Sequence, residues 1–191
     1  GWRLLVAIAD VAHYVRSGDA LDKEAQKRGN SVYFPDRVVP MLPEALSIGL
    51  CSLRPDEDRA CLAVEMIIDA KGRKKSHQFL RGLMRSVARV TYEEIQAVVD
   101  AADPGDATGD APEGVPGGAA DAEPRLTALA RPLYGAFRSL LDARETRGAL
   151  DIEMPEMQVI LNDDGQVTAI TPRQRLDSHR LIEEFMVLAN V

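Results

Sequence analysis

Between Asp103 and Pro124 the sequence holds five glycines, four prolines and six acidic residues (Asp103, Asp106, Asp110, Glu113, Asp121 and Glu123), with no basic residue. Such a stretch cannot bury enough apolar surface to offset the entropy of ordering it. It is read as a disordered acidic surface insertion over 103–124, dividing the chain into 1–102 and a continuation of the same domain over 125–191. Its run Gly114-Val115-Pro116-Gly117-Gly118 lacks the flanking strand and helix, and the Lys-Ser/Thr ending, of a phosphate loop. Setting the six acids aside takes the formal charge from −7 to −1, so a polyanionic partner stays admissible for the remainder.

Outside the insertion the pattern alternates between the two periods of regular structure. Trp2–Asp10 reads as a buried strand. Asp19 is placed to cap a helix over Ala20–Arg28 that Gly29 ends. Val32–Phe34 is strand-like and stops at Pro35; Pro40 and Pro43 bracket a stiff connection into a short helix, Glu44–Ile48. Cys61–Ile68 and Lys75–Leu80 flank Asp69-Ala70-Lys71-Gly72 as a hairpin, and Val87–Val90 extends that sheet. Thr91 and Glu94 form a capping-box pattern for a helix with Ile95, Val98 and Val99 on one stripe, ending near Asp100. Leu126, Leu129, Leu133, Phe137, Leu140 and Leu141 recur at helical spacing, and Pro132 kinks that helix or restarts it. A second hairpin turns at Asn162–Gly165, and Asp177 or Ser178 caps a last helix through Ala189. The class is α+β, with a mixed system of sheets packed by helices.

No apolar run approaches the roughly 20 residues that cross a bilayer, and Gly1–Ala9 lacks the pattern of an export signal. Cys51 and Cys61 have neither metal-site spacing nor the number of a disulfide scaffold, which suits a reducing cytoplasm. Of the three histidines, none shares a metal motif with another histidine or a cysteine. Asp10 with His13 reads first as a turn or capping pair and second as a carboxylate orienting an imidazole for acid–base or metal work. His179 and Glu183, four apart, read first as a stabilising contact. Tyr33 and Tyr92 sit where aromatic faces can stack on nucleobases, although taken alone core or surface packing is the better reading. No complete catalytic constellation emerges from residue types and spacing.

Several runs resemble the catalytic (RNB) domain of the ribonuclease II/ribonuclease R family, nearest its bacterial ribonuclease R branch. They are Val6-Ala7-Ile8-Ala9-Asp10-Val11-Ala12-His13-Tyr14-Val15, Ser31-Val32-Tyr33-Phe34-Pro35, Val39-Pro40-Met41-Leu42-Pro43-Glu44-Ala45-Leu46-Ser47 and Gly49-Leu50-Cys51-Ser52-Leu53. Ala88-Arg89-Val90-Thr91-Tyr92 and His179-Arg180-Leu181-Ile182-Glu183-Glu184-Phe185-Met186 complete the series.

The resemblance implies an RNB-like fold, incomplete at both ends, from an enzyme that degrades single-stranded RNA processively from its 3′ end to nucleoside 5′-monophosphates with Mg2+. It implies that the metal-binding aspartates lie upstream of Trp2, and a phosphate-holding arginine segment downstream of Val191. On that view this stretch alone is inactive, with no catalytic and no metal-binding residue of its own. It also implies three RNA-binding residues: Tyr33 stacking on a base near the 3′ end, and Tyr92 and Glu183 contacting the terminal nucleotide and its ribose, where a carboxylate accepting from the 2′-hydroxyl tells RNA from DNA. No DNA or membrane partner is expected. Leu150-Asp151-Ile152 offers no aromatic for the second side of a base clamp. Two alternatives stand beside this reading: a non-catalytic module that binds RNA or protein, and a different metal hydrolase that would need Asp10, His13 and Glu183 within about 5 Å of one another.

Overall fold

The computed structural model describes residues 1–102, 123–149 and 156–191. The sequence-predicted insertion therefore lies outside the described residues, except for Glu123 and Pro124, which open a helix. Leu150 to Ile152 also lie outside them.

Strand β1 (Trp2–Ala9) pairs antiparallel with β4 (Asp58–Ile68), which pairs with β5 (Lys74–Arg85). Two small ribbons stand apart: β2 (Val32–Tyr33) with β3 (Val38–Val39), and β6 (Met157–Leu161) with β7 (Val167–Pro172). Among the described residues the α-helices of this α+β fold are α1 (Ala20–Arg28), α2 (Tyr92–Ala102), α3 (Glu123–Thr146) and α4 (Asp177–Asn190). Among the described residues no helix is long and apolar enough to cross a membrane.

The core follows from period-2 alternation. Trp2↔Ile68, Leu4↔Met66 and Val6↔Val64 are register partners, so their side chains share one face of the β1–β4 ladder. Against that face pack Tyr134, Ala136, Phe137 and Leu140 of α3 and Leu181 and Phe185 of α4, with Ile95 and Val99 of α2 at the margin. Gly135 lets α3 approach this closely, because a Cβ there would meet the Trp2 ring at 2.5 Å. Trp2 Nε1 donates to Ser139 Oγ at 3.2 Å beside it. The buried stripe of α3 is thus Ala130, Tyr134, Phe137 and Leu140, whereas Leu129, expected on it, is exposed. The helix runs through Pro132, whose position is exposed, so the carbonyl deprived of its partner can be hydrated.

Local signals specify several boundaries. Asp19 accepts from Asp22 N at 2.8 Å at the start of α1, and Gly29 takes a positive φ of 77° at its end. Thr91 and Glu94 make both capping-box bonds, at 2.7 and 3.2 Å. Asp69 holds the β4–β5 turn by accepting from the Lys71 and Arg73 amides, which, first among several causes, keeps its carboxyl well below the usual range.

Three expectations are corrected. Val87–Val90 does not extend the sheet: the Ser86 hydroxyl donates to the Ala88 carbonyl at 2.9 Å and the chain turns away. The short helix expected over Glu44–Ile48 is a wide π turn over Ala45–Leu50, closed by Cys51 N donating to Leu46 O at 2.9 Å. Neither Asp177 nor Ser178 caps α4. The helix is capped from Leu176, whose amide donates to His179 Nδ1 at 3.2 Å.

Candidate functional site

Tyr92 is the first residue of α2, and the Thr91/Glu94 box fixes the turn it stands on. Its ring stacks on the imidazole of His179, with centroids 4.1 Å apart and planes 19° from parallel. That stack joins the start of α2 to the start of α4. One turn further along α2, the Gln96 carboxamide oxygen accepts from Ser178 N at 3.0 Å and from the Tyr134 hydroxyl at 3.1 Å, while its Nε2 donates to Asp100 at 2.9 Å. Ser178 N is one of the amides that a helix start leaves without an intrahelical partner. Gln96 therefore ties α2, α3 and α4 together at one point, beside the stack.

Glu183 lies one helical turn beyond His179 and is exposed. Its carboxylate accepts from Arg175 at 2.6 Å, and its charge also acts on the His179 imidazole. The next residue, Glu184, points the other way and is buried against Arg144 of α3 at 2.5 Å. Of two adjacent acids, one locks the helix to the core and the other faces water. Tyr92 thus stacks on His179, and Glu183 follows one turn later on the helix that carries that imidazole, its charge acting on it.

Burial lowers the His179 pKa below its ordinary value, and Arg173 adds to that effect, while Glu93, Glu183 and Glu156 oppose it. Burial also pushes the Tyr134 phenol up, with Asp177 and Asp100 contributing.

Tyr33 is placed differently. It is 77% exposed on a ribbon of two-residue strands, opposite Val38. The ribbon is shaped locally: Phe34 N donates to Arg37 O at 2.8 Å, Arg37 lies over the Phe34 ring at 4.9 Å, and Met41 N donates to Ser31 Oγ at 2.9 Å. Arg28 of α1 reaches the Pro40 carbonyl at 3.1 Å. Among the described residues no hydrogen bond or ring contact joins Tyr33 to Tyr92 or Glu183.

Asp10 is buried at the end of β1, where Arg81 of β5 grips it through both oxygens, at 2.9 and 3.1 Å. His13 lies exposed on the following 3-10 turn, edge-on to Tyr14. Burial raises the Cys51 pKa, with the Asp10 charge adding to it, which makes that thiol a weak nucleophile. Among the described residues no three His, Cys, Asp or Glu side chains gather where they could hold one ion, so no step is drawn through a metal bound to this chain. An aromatic face beside an exposed carboxylate can receive a flat base or a sugar and accept a hydroxyl proton. It does not by itself break a bond.

Spacing placed Tyr92, His179 and Glu183 on helices, but it did not signal the stack. Nor did it signal Gln96 and Arg175, whose partners lie on other elements or far along the chain.

The RNB domain family model matches residues 1–191. Ribonuclease R of Vibrio parahaemolyticus is 44% identical over all of this chain, which spans 21% of that relative. Ribonuclease R of Escherichia coli is 41% identical, again over the whole chain and 22% of the relative. The chain therefore spans about a fifth of the length of these curated relatives. The solved structure of Mycoplasma genitalium RNase R in complex with ribose methylated single-stranded RNA superposes with a TM-score of 0.81 at 29% identity, over 100% of this chain and 27% of that one.

Proposed function

This chain belongs to the RNB domain family, and from that premise we propose that it supplies the RNA-holding part of a processive 3′→5′ exoribonuclease. The whole protein hydrolyses single-stranded RNA to nucleoside 5′-monophosphates, with no DNA or membrane partner, in the cytoplasm. Tyr92 and Glu183 act as the sugar check: the ring lies against the terminal nucleotide while the carboxylate accepts from its 2′-hydroxyl, which DNA lacks. Tyr33 stacks on a base near the 3′ end and limits how short the last product becomes, a contact worth about 1–3 kcal/mol. The observation that carries this reading is the Tyr92–His179 stack, with the exposed Glu183 carboxylate one turn beyond His179 on α4. That a relative was solved in complex with ribose methylated single-stranded RNA supports single-stranded RNA as the ligand class.

Mg2+, where the whole protein binds it, would supply the attacking hydroxide and stabilise charge at the scissile phosphate. The residues of this chain bind and orient the strand. The test is digestion of a labelled single-stranded RNA with Mg2+, comparing this chain with a version extended at both ends to the length of its relatives. Mononucleotide release by the extended protein alone, with a longer end product for Tyr33→Ala, is the expected result. An inert extended protein that still binds RNA would favour a non-catalytic binding module.

A further inference from the structure

We propose that His179 is a positioning residue: by stacking on Tyr92 it sets that ring relative to Glu183, and so governs how sharply a ribose 3′ end is distinguished from a deoxyribose one. This rests on the sugar-check reading above and adds to it a residue which that reading does not use.

Two features of the imidazole go beyond what a helix start requires. Its Nδ1 accepts the Leu176 amide, so the proton of the neutral ring belongs on Nε2, and that atom is buried with no hydrogen-bond partner among the described residues. A residue needed only to cap a helix does not require a ring, as Asp19 shows on α1. A residue needed only to fill space does not require a buried N–H that finds no acceptor. What the ring does besides capping is present a flat face to Tyr92, 4.1 Å away and nearly parallel. The cap fixes the imidazole relative to α4, the stack fixes Tyr92 relative to the imidazole, and Glu183 follows one turn later on the same helix. Gln96, bonded to Ser178 N, supplies a second point of attachment, so α2 cannot pivot about the stack. Burial and Arg173 favour the neutral ring that this arrangement needs, against Glu93, Glu183 and Glu156.

The deciding experiment uses the intact protein and two oligonucleotides that differ only in a 2′-deoxy terminal nucleotide, and it reads the ratio of their kcat/KM values. His179→Leu and His179→Phe both remove the Nδ1 acceptor and both fill the space with apolar bulk, but only Phe keeps a face for Tyr92. Leu is expected to lower the ratio by about tenfold and Phe to keep it within about threefold of the unaltered protein, as suits a displaced rather than a deleted contact. Equal ratios for Leu and Phe, whether high or low, would overturn the proposal, because the stack would then set nothing. Tyr92→Ala and Glu183→Gln serve as the reference. If they leave the ratio unchanged, the sugar-check reading fails, and His179 has no site to position.

Discussion

Tyr92 begins a helix whose next turn is hydrogen-bonded into two other helices, whereas Tyr33 stands on a ribbon of four paired residues, all of them exposed. The first is held by the same side chains that build the core. The second is held by a turn, a cation over a ring and one arginine from a neighbouring helix. Pre-positioning lowers the cost of ordering a contact on binding, so a check that must resolve one hydroxyl suits the stiff helical wing. A base-stacking wall tolerates more movement, because every base offers a face.

The comparison breaks if the two regions prove energetically alike, and the largest test is in the core. Phe137 is 1% exposed, and Phe137→Ala is expected to cost about 3–5 kcal/mol in urea unfolding. A cost below about 1 kcal/mol would mean that α3 is not the anchor it is taken to be. Next come the adjacent acids: Glu184→Ala removes the buried carboxylate that faces Arg144 and should cost about 3 kcal/mol, while Glu183→Ala, exposed, should cost less than about 1 kcal/mol. Gly135→Ala drives a methyl into the Trp2 ring, for about 1–3 kcal/mol, and a shift in Trp2 fluorescence should accompany it. Tyr33→Ala marks the other end of the scale, within about 0.5 kcal/mol of the unaltered stability. Were it to cost as much as Gly135→Ala, the ribbon would belong to the packed wing.

The smallest effect is a pH dependence. The His179 pKa is lowered in the fold, so the unfolded chain takes up the proton first. Its contribution to stability is complete above the ordinary value of 6.5 and declines as pH falls below it towards the lowered folded value. Melting of the unaltered protein and of His179→Phe across that range should show this slope in the former and its loss in the latter.

How much could be read in advance depended on sequence distance. Asp19 with Gly29, Thr91 with Glu94, and the turn at Gly72 act within a few residues of themselves, and each was legible. The helical period of Leu126–Leu141 was legible too, but not which side would face in. That was decided by Trp2, more than a hundred residues away, lying over Gly135. Val87–Val90 carries strand-forming residues, yet Ser86 turned the backbone aside through a bond that propensity does not register. At the candidate site the residue types and the resemblance pointed to Tyr33, Tyr92 and Glu183. The pairings Tyr92–His179, Gln96–Ser178 and Asp10–Arg81 exist only once the chain has folded.

The neighbouring acids of α4 also bear on which insertions and deletions the chain can survive. Each residue advances a helix by about 100°, so removing one between Leu176 and Glu183 would set Glu184 in the outward place that Glu183 holds and turn Phe185 towards Arg144. The β6–β7 turn at Asn162–Gly165 is exposed and bonded to itself, and it can change length without disturbing a distant partner. Lineages of this domain should therefore differ freely in length at that turn and hold the span from Leu176 to Glu184 at a constant count.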